Sequence, residues 1–415
     1  MSEWIDLAEG ASFDEIHSMT ITYRVAAIPG DGVGPDVIHA GRQVLDAVGA
    51  THGFTIEWQE ILAGGAAIDA HGAAIRDQDL DACRAAHAVY LGAVGGPKWD
   101  DPNATVRPEQ ALFALRGGLG LFGNLRPVTV HPALRASAPL RPELLEGVDL
   151  LIVRELTGGL YFGRPSEERA TESGRVAIDT LVYSEAEIER VVRLGFELAR
   201  ARRRKLTSVD KANVLASSRL WHKIVEELRP EYPDVTVEHR LVDACAMVLV
   251  SRPAAFDVLV TENLFGDILS DEASVLAGSL GMLPSASIGS RRTEHGLHGL
   301  YEPIHGSAPD IAGRDLANPI GTILSGAMLL RWSLGREDAA LAIESAVGQT
   351  LDDGYRTGDL LAPGQRGDDR QGHRADEQDD AAGLRDDAAG LHEVGTVAMT
   401  AAILERLGAP AAVGA

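Results

Sequence analysis

Asp267 and Asp271 stand four residues apart in Phe265-Gly-Asp-Ile-Leu-Ser-Asp-Glu272. That spacing puts both carboxylates on one side of a helix, where like charges repel unless a cation lies between them. Two or three carboxylates suit a hard cation such as Mg²⁺ or Mn²⁺, and a solvated acidic helix face is the plainer alternative. Lys211 and Asp243 are further charged groups at strand-to-helix junctions, and a lysine beside a divalent cation can serve as a base. A second set of residues begins at Arg107-Pro-Glu-Gln-Ala-Leu-Phe-Ala-Leu-Arg116, read as a helix with Glu109, Leu112 and Arg116 on one face. Arg126 and Arg154 follow downstream, and clustered arginines bind carboxylates bidentately; taken singly, each is an ordinary surface ion pair. A third segment, Tyr301-Glu302-Pro-Ile-His305-Gly306-Ser307-Ala308-Pro-Asp310 to Asn318-Pro, is too rich in small residues and proline for a core element and carries the donors and acids of a cofactor loop.

These groups need a frame. Tyr23 to Ile28 reads as a strand, Pro29-Gly-Asp-Gly-Val-Gly-Pro35 as a loop and Asp36 to Val48 as an amphipathic helix. The glycines fall as GxGxG and lack the spacing of the dinucleotide fingerprint. Ser184 with Glu187 makes a capping box before apolar residues at helical spacing. The basic end of that helix, Arg200 and Arg202 to Lys205, complements the helix dipole. Strands at 206–209, 235–242 and 256–261 alternate with helices at 216–228, 244–250 and from about Phe265. Such alternation predicts an α/β sheet with ligands beyond the strand C-termini. The composition changes at Pro363 to Leu391, where Asp379-Asp-Ala-Ala-Gly-Leu recurs as Asp386-Asp-Ala-Ala-Gly-Leu. That polarity cannot offset ordering entropy, so 363–391 reads as a disordered acidic insertion, after which 391–407 resumes a helical pattern.

Composition narrows the function classes. A net charge of −23, from 38 basic and 61 acidic residues, repels nucleic acid and anionic lipid. Cys83 and Cys245 make neither a disulfide framework nor a zinc spacing, which fits a reducing cytoplasm. Residues 1–18 carry five acids and lack the basic and apolar regions of an export signal; they read as a disordered extension with no assigned role. No window reaches the roughly 18 apolar residues of a membrane span.

Taken together, the glycine loop, Leu91-Gly-Ala-Val-Gly-Gly-Pro-Lys-Trp99, the arginine segments, Val209-Asp-Lys-Ala-Asn-Val214, Thr261 to Glu272 and the 301–319 loop resemble the β-decarboxylating dehydrogenases over roughly Thr20 to Thr357, those acting on 3-isopropylmalate most closely. The resemblance implies an α/β subunit of two domains (19–122 with 279–415, and 123–278), a non-Rossmann nucleotide site and a homodimer whose interface belongs to the second domain. It implies that Glu109, Leu112, Arg116, Arg126, Arg154 and Asp243 meet the substrate, and that Asp243, Asp267 and Asp271 hold Mg²⁺ or Mn²⁺. Tyr161, Lys211 and Asp243 would be catalytic, with Lys211 and Asp243 completing the partner's site. Glu302, His305, Gly306, Ser307, Ala308, Asp310 and Asn318 would line an NAD site. The implied reaction is oxidation and decarboxylation of a 2-hydroxy dicarboxylic acid. Leu112 argues against isocitrate, whose third carboxylate would find no donor there; malate, tartrate and homoisocitrate are alternatives, as is a non-catalytic carboxylate-binding protein. The insertion departs from the family pattern near the adenine side of the cofactor.

Overall fold

The computed structural model describes residues 21–101, 104–361, 385–386 and 390–408. The extension at 1–18 and nearly all of the insertion at 363–391 lie outside the described residues. The chain opens with β1 (Ile21–Gly30), α1 (Gly34–His52), β2 (Phe54–Glu60), α2 (Gly65–His71), α3 (Asp77–Ala85) and β3 (Ala88–Ala93). Next come α4 (Gln110–Gly118), β4 (Leu121–Thr129), β5 (Asp149–Glu155) and the hairpin β6 (Glu167–Thr171) and β7 (Gly174–Ile178). The alternating series is α5 (Glu185–Ala201), β8 (Lys205–Asp210), α6 (Ala216–Leu228), β9 (Thr236–Leu241), α7 (Val242–Ser251), β10 (Val258–Thr261) and α8 (Asn263–Ser274). The chain returns through β11 (Pro284–Arg292), β12 (Leu297–Pro303), α9 (Ile320–Trp332), α10 (Glu337–Asp352), β13 (Tyr355–Arg356), β14 (Arg385–Asp386), β15 (His392–Glu393) and α11 (Thr396–Leu407).

Ten strands form one sheet in the order β2-β1-β3-β12-β11-β4-β5-β10-β8-β9. Both flanks are parallel, as βαβ crossovers require, and the centre from β12 through β5 is antiparallel. Register sets the site. Asn124 on β4 faces Arg154 on β5, and Ser285 faces Glu302 one step from the pair Ala286 and Leu125. Arg126, two residues from Asn124, therefore shares its face of the sheet. The expected mixed α/β architecture is present, while the boundary read at 122/123 falls inside β4.

Local sequence explains the elements. In α1, Pro35 starts the helix, Val37, Ile38, Val44, Leu45 and Val48 face the core, and Gly53 at φ 74° ends it, as expected of a left-handed C-terminal glycine. The predicted capping box of α5 is formed, Ser184 N–H donating to Glu187 at 2.8 Å. Arg202 turns from the helix end to Asp149 and Asp257 at 2.7 and 2.9 Å, so this basic stretch is tied up in structural ion pairs. Three elements start at least two residues later than expected. The helix read from Arg107 starts at Gln110, because Arg107 and Pro108 form a preceding turn whose carbonyls accept from Gln110 and Ala111. The strand read from Phe256 starts at Val258 after a short 3₁₀ turn at Pro253–Ala255. The segment read as helical from Leu391 first pairs as β15, and α11 begins only at Thr396.

Candidate active site

The glycine loop is shaped by backbone contact. Gly32 has φ 60°, and a Cβ there would meet the Ser307 carbonyl at 1.9 Å; Val33 N–H donates to that same carbonyl at 2.8 Å. Asp31, buried between them, accepts the N–H groups of Gly65, Ala66 and Gly95 at 2.8 Å each. The loop thus clamps the 91–99 segment to the 305–308 loop. Its aspartate is structural.

Beside the central strands β4 and β5 the three arginines, all largely buried, come together. Arg154 Nε and Nη2 donate to Asn263 Oδ1 at 3.0 and 2.9 Å, and Nη1 donates to Asp267. Arg126 donates to Asn124 at 2.8 Å, Ser270 at 2.7 Å and Asp271 at 3.1 Å. Arg116 pairs with Glu302 at 3.1 Å, and its buried Nε has no hydrogen-bond partner. Burial pushes the Arg154 guanidinium down to about 10, Asp267 opposes the shift, and Arg126 and Arg116 add to it. Burial likewise lowers Arg126. So much desolvated positive charge is what a dianionic ligand would neutralise. The Tyr161 hydroxyl donates to Asp267 Oδ2 at 2.8 Å. Partial burial and that hydrogen bond push it up to about 12, so the phenol keeps its proton at neutral pH.

Several positioning residues had not been singled out. Buried Glu262 caps α8 by accepting from Phe265 and Leu264 at 2.7 and 3.2 Å, and so aims Asp267 and Asp271. Tyr183 joins Glu262 to buried Glu155, its hydroxyl accepting the Asn263 N–H at 2.9 Å. Helix starts are usually signalled by Ser, Thr, Asp or Asn at the cap position, so Glu262 carried no such local signal.

Leu112 is half-buried and packs against the apolar cluster that includes Leu115 and Ile28, and Glu109 is exposed at the start of α4. Lys211 and Asp243, catalytic on the family resemblance, pair with each other. Lys211 Nζ donates to Asp243 Oδ1 at 2.5 Å, and this bond holds the Asp243 carboxyl below its usual range. Asp243, Asp267 and Asp271 do not gather within one chain: among the described residues, the only sets of three His, Cys, Asp or Glu side chains within 4.8 Å of one another are formed by other residues. Asp267 and Asp271 offer the oxygen donors a hard cation takes, and their present partners are the arginines and Tyr161; the pair fits such a cation as part of a donor set.

In the cofactor loop, His305 Nδ1 lies 2.9 Å from the Gly306 carbonyl, and burial lowers the ring's pKa and leaves Nε2 unpartnered. Asp310 is exposed, and a Cβ on Gly306 would meet nothing within 4 Å. An orphaned ring nitrogen beside an open backbone fits a nucleotide. Asn318 differs, since its amide is used internally, capping α9 at Ile320 N–H and donating to Asp359 at 3.1 Å. A cavity of about 810 Å³ between β4, β5, α9 and α10 contains none of the predicted site residues.

Comparison with known proteins gives the family. The chain is 58% identical over 337 residues to a 3-isopropylmalate dehydrogenase of Anaeromyxobacter dehalogenans, covering 81% of this chain and 94% of that one. It is 57% identical to one of Moorella thermoacetica, covering 82% and 94%. An isocitrate dehydrogenase structure from Methylococcus capsulatus superposes with a TM-score of 0.75 at 35% identity, covering 93% of this chain and 99% of that one. The model of the isocitrate/isopropylmalate dehydrogenase family matches residues 24–370. With a matched region that contains every arginine, aspartate, lysine and tyrosine of the site, this chain belongs to the isocitrate/isopropylmalate dehydrogenase family and is an oxidoreductase.

Proposed function

We propose that the protein catalyses NAD-dependent oxidative decarboxylation of (2R,3S)-3-isopropylmalate to 4-methyl-2-oxopentanoate and CO₂, the dehydrogenase step of leucine biosynthesis in the cytoplasm. The observation that carries the reading is the convergence of Arg116, Arg126 and Arg154 beside Asp267 and Tyr161, with half-buried Leu112 on α4. The arginines hold two substrate carboxylates, and Glu109 and Leu112 border the 3-substituent. Lys211 removes the hydroxyl proton. Tyr161, protonated at neutral pH, returns a proton to carbon after CO₂ leaves. When bound, NAD accepts the hydride and Mg²⁺ or Mn²⁺, held by Asp267, Asp271 and Asp243, supplies Lewis-acid stabilisation of enolate charge. On the cofactor loop, Glu302, His305, Gly306, Ser307, Ala308 and Asn318 border the nucleotide, and the Asp310 carboxylate favours NAD over a 2′-phosphate.

The reading includes a homodimer with shared sites and the domain division 19–122 with 279–415 against 123–278. Two observations support it: Lys211 pairs with Asp243 apart from Asp267, and α7 and α8 expose Met247 (66%) and Ile268 (57%), an apolar surface suited to a second copy. NADH formation and CO₂ release, assayed side by side with 3-isopropylmalate, malate, tartrate and isocitrate, test the reaction. The highest kcat/KM should belong to 3-isopropylmalate and vanish with EDTA; a preference for another acid overturns the assignment.

A further inference from the structure

Where β8 ends, three side chains meet that the proposed chemistry does not use. The ligand atoms of Asp210, His222 on α6 and His239 on β9 all lie within 4.8 Å of one another. Asp210 is buried, and its Oδ1 accepts the Ala212 N–H at 2.8 Å. Its Oδ2 stands 3.1 Å from His222 Nδ1 and 3.9 Å from His239 Nδ1. A tetrahedral ion with bonds of ~2.1 Å sets its ligand atoms about 3.4 Å apart, a value between those two separations.

Protonation narrows the reading. His239 Nε2 lies 2.8 Å from Glu226 Oε1. An ionised carboxylate only accepts, so Nε2 carries the proton. In the neutral ring Nδ1 is then a lone pair, and it is buried with no hydrogen-bond partner. It faces a carboxylate oxygen. Two acceptors so placed repel unless a cation sits between them, and a carboxylate behind the other ring nitrogen is the usual support of a metal-bound histidine. The chain supplies a contrast in His87, Glu294 and His295, which also cluster. His87 Nδ1 accepts the Arg24 N–H at 2.9 Å and Nε2 meets Glu294 at 3.2 Å, so both nitrogens are occupied and no lone pair is left for a metal.

We propose that Asp210, His222 and His239 form a binding site for a divalent transition-metal cation of the zinc class, with Glu226 orienting His239. Two imidazoles and one carboxylate select zinc over the hard cations suited to Asp267 and Asp271. Three protein ligands leave one position open, on the side where His222 is 40% exposed. Because Lys211 follows Asp210, the ion would fix the turn that carries the lysine.

The test is equilibrium dialysis of the full chain against Zn²⁺ in a large excess of Mg²⁺, with metal analysis and a melting curve. Wild type should retain about one Zn²⁺ per chain and gain melting temperature with Zn²⁺. His222→Gln and His239→Gln should lose that equivalent and that gain, and Glu226→Gln should bind about 10- to 100-fold more weakly. Asp267→Asn should keep the Zn²⁺, which separates this site from the proposed catalytic one. Should His239→Gln fail to fold, His222→Gln alone decides. Equal Zn²⁺ uptake by wild type and His222→Gln, or no uptake by wild type, overturns the proposal.

Discussion

Tyr161 and Leu112 carry separable parts of the proposed chemistry. Because the phenol is held up to about 12, it remains an acid throughout the range in which the enzyme would be assayed. Tyr161→Phe should therefore lower kcat by about 10²- to 10⁴-fold, the usual worth of one general acid, with KM for 3-isopropylmalate little changed; an unaltered kcat in steady-state assays would remove Tyr161 from the chemistry. An apolar contact at Leu112 is worth only ~1 to 3 kcal/mol, so Leu112→Ser should cut kcat/KM for 3-isopropylmalate by about 10-fold. Its kcat/KM for malate should hardly move, and a parallel fall in both would deny Leu112 a part in selection. The arginines and aspartates were nominated by residue type, motif and the family resemblance, and the fold brings Arg116, Arg126, Arg154, Asp267 and Asp271 near one another. Glu155 and Tyr183 were not, since their importance arises from a tertiary contact between β5 and the N-terminus of α8. Asn318 was read as bordering the cofactor from its place in a polar loop, and the fold also uses its amide as a cap.

At the level of elements, α8 depends on a buried carboxylate. Burial raises Glu262 above its ordinary 4.5 even though two backbone N–H groups favour its charge. A folded-state pKa above the unfolded one means the native protein holds the proton more tightly, so stability falls as pH rises from about 4.5 through the folded value. Glu262→Gln keeps an oxygen acceptor for the cap and abolishes this titration. Its melting temperature relative to wild type should rise with pH above 4.5, and a pH-independent difference would show that burial does not govern Glu262. The α5 capping box and the α1 core stripe were readable from local sequence, because their determinants are a few residues apart. The antiparallel centre of the sheet was not. Its pairing of β4 with β11 joins residues more than 150 positions apart, and no local periodicity encodes which strands become neighbours.

For the whole molecule, the pairing of Lys211 with Asp243 rather than with Asp267 governs the proposed account. Within one chain the lysine's partner is Asp243, while Asp267 and Asp271 are occupied by Arg154 and Arg126. On the proposed reading a complete centre requires two copies, with the exposed apolar side chains of α7 and α8 offered as the joining surface. Sequence spacing had suggested that Lys211, Asp243 and Asp267 share the C-terminal edge of parallel strands. They follow β8, β9 and β10 as expected, yet Asp243, Asp267 and Asp271 do not gather within 4.8 Å of one another in one chain. The decisive measurement is activity after subunit exchange between Lys211→Ala and Asp267→Asn, each inactive alone. A hybrid dimer restores one of its two shared sites, and random exchange should recover about a quarter of wild-type specific activity. Hybrids verified by mass that remain as inactive as their parents would contradict the shared site.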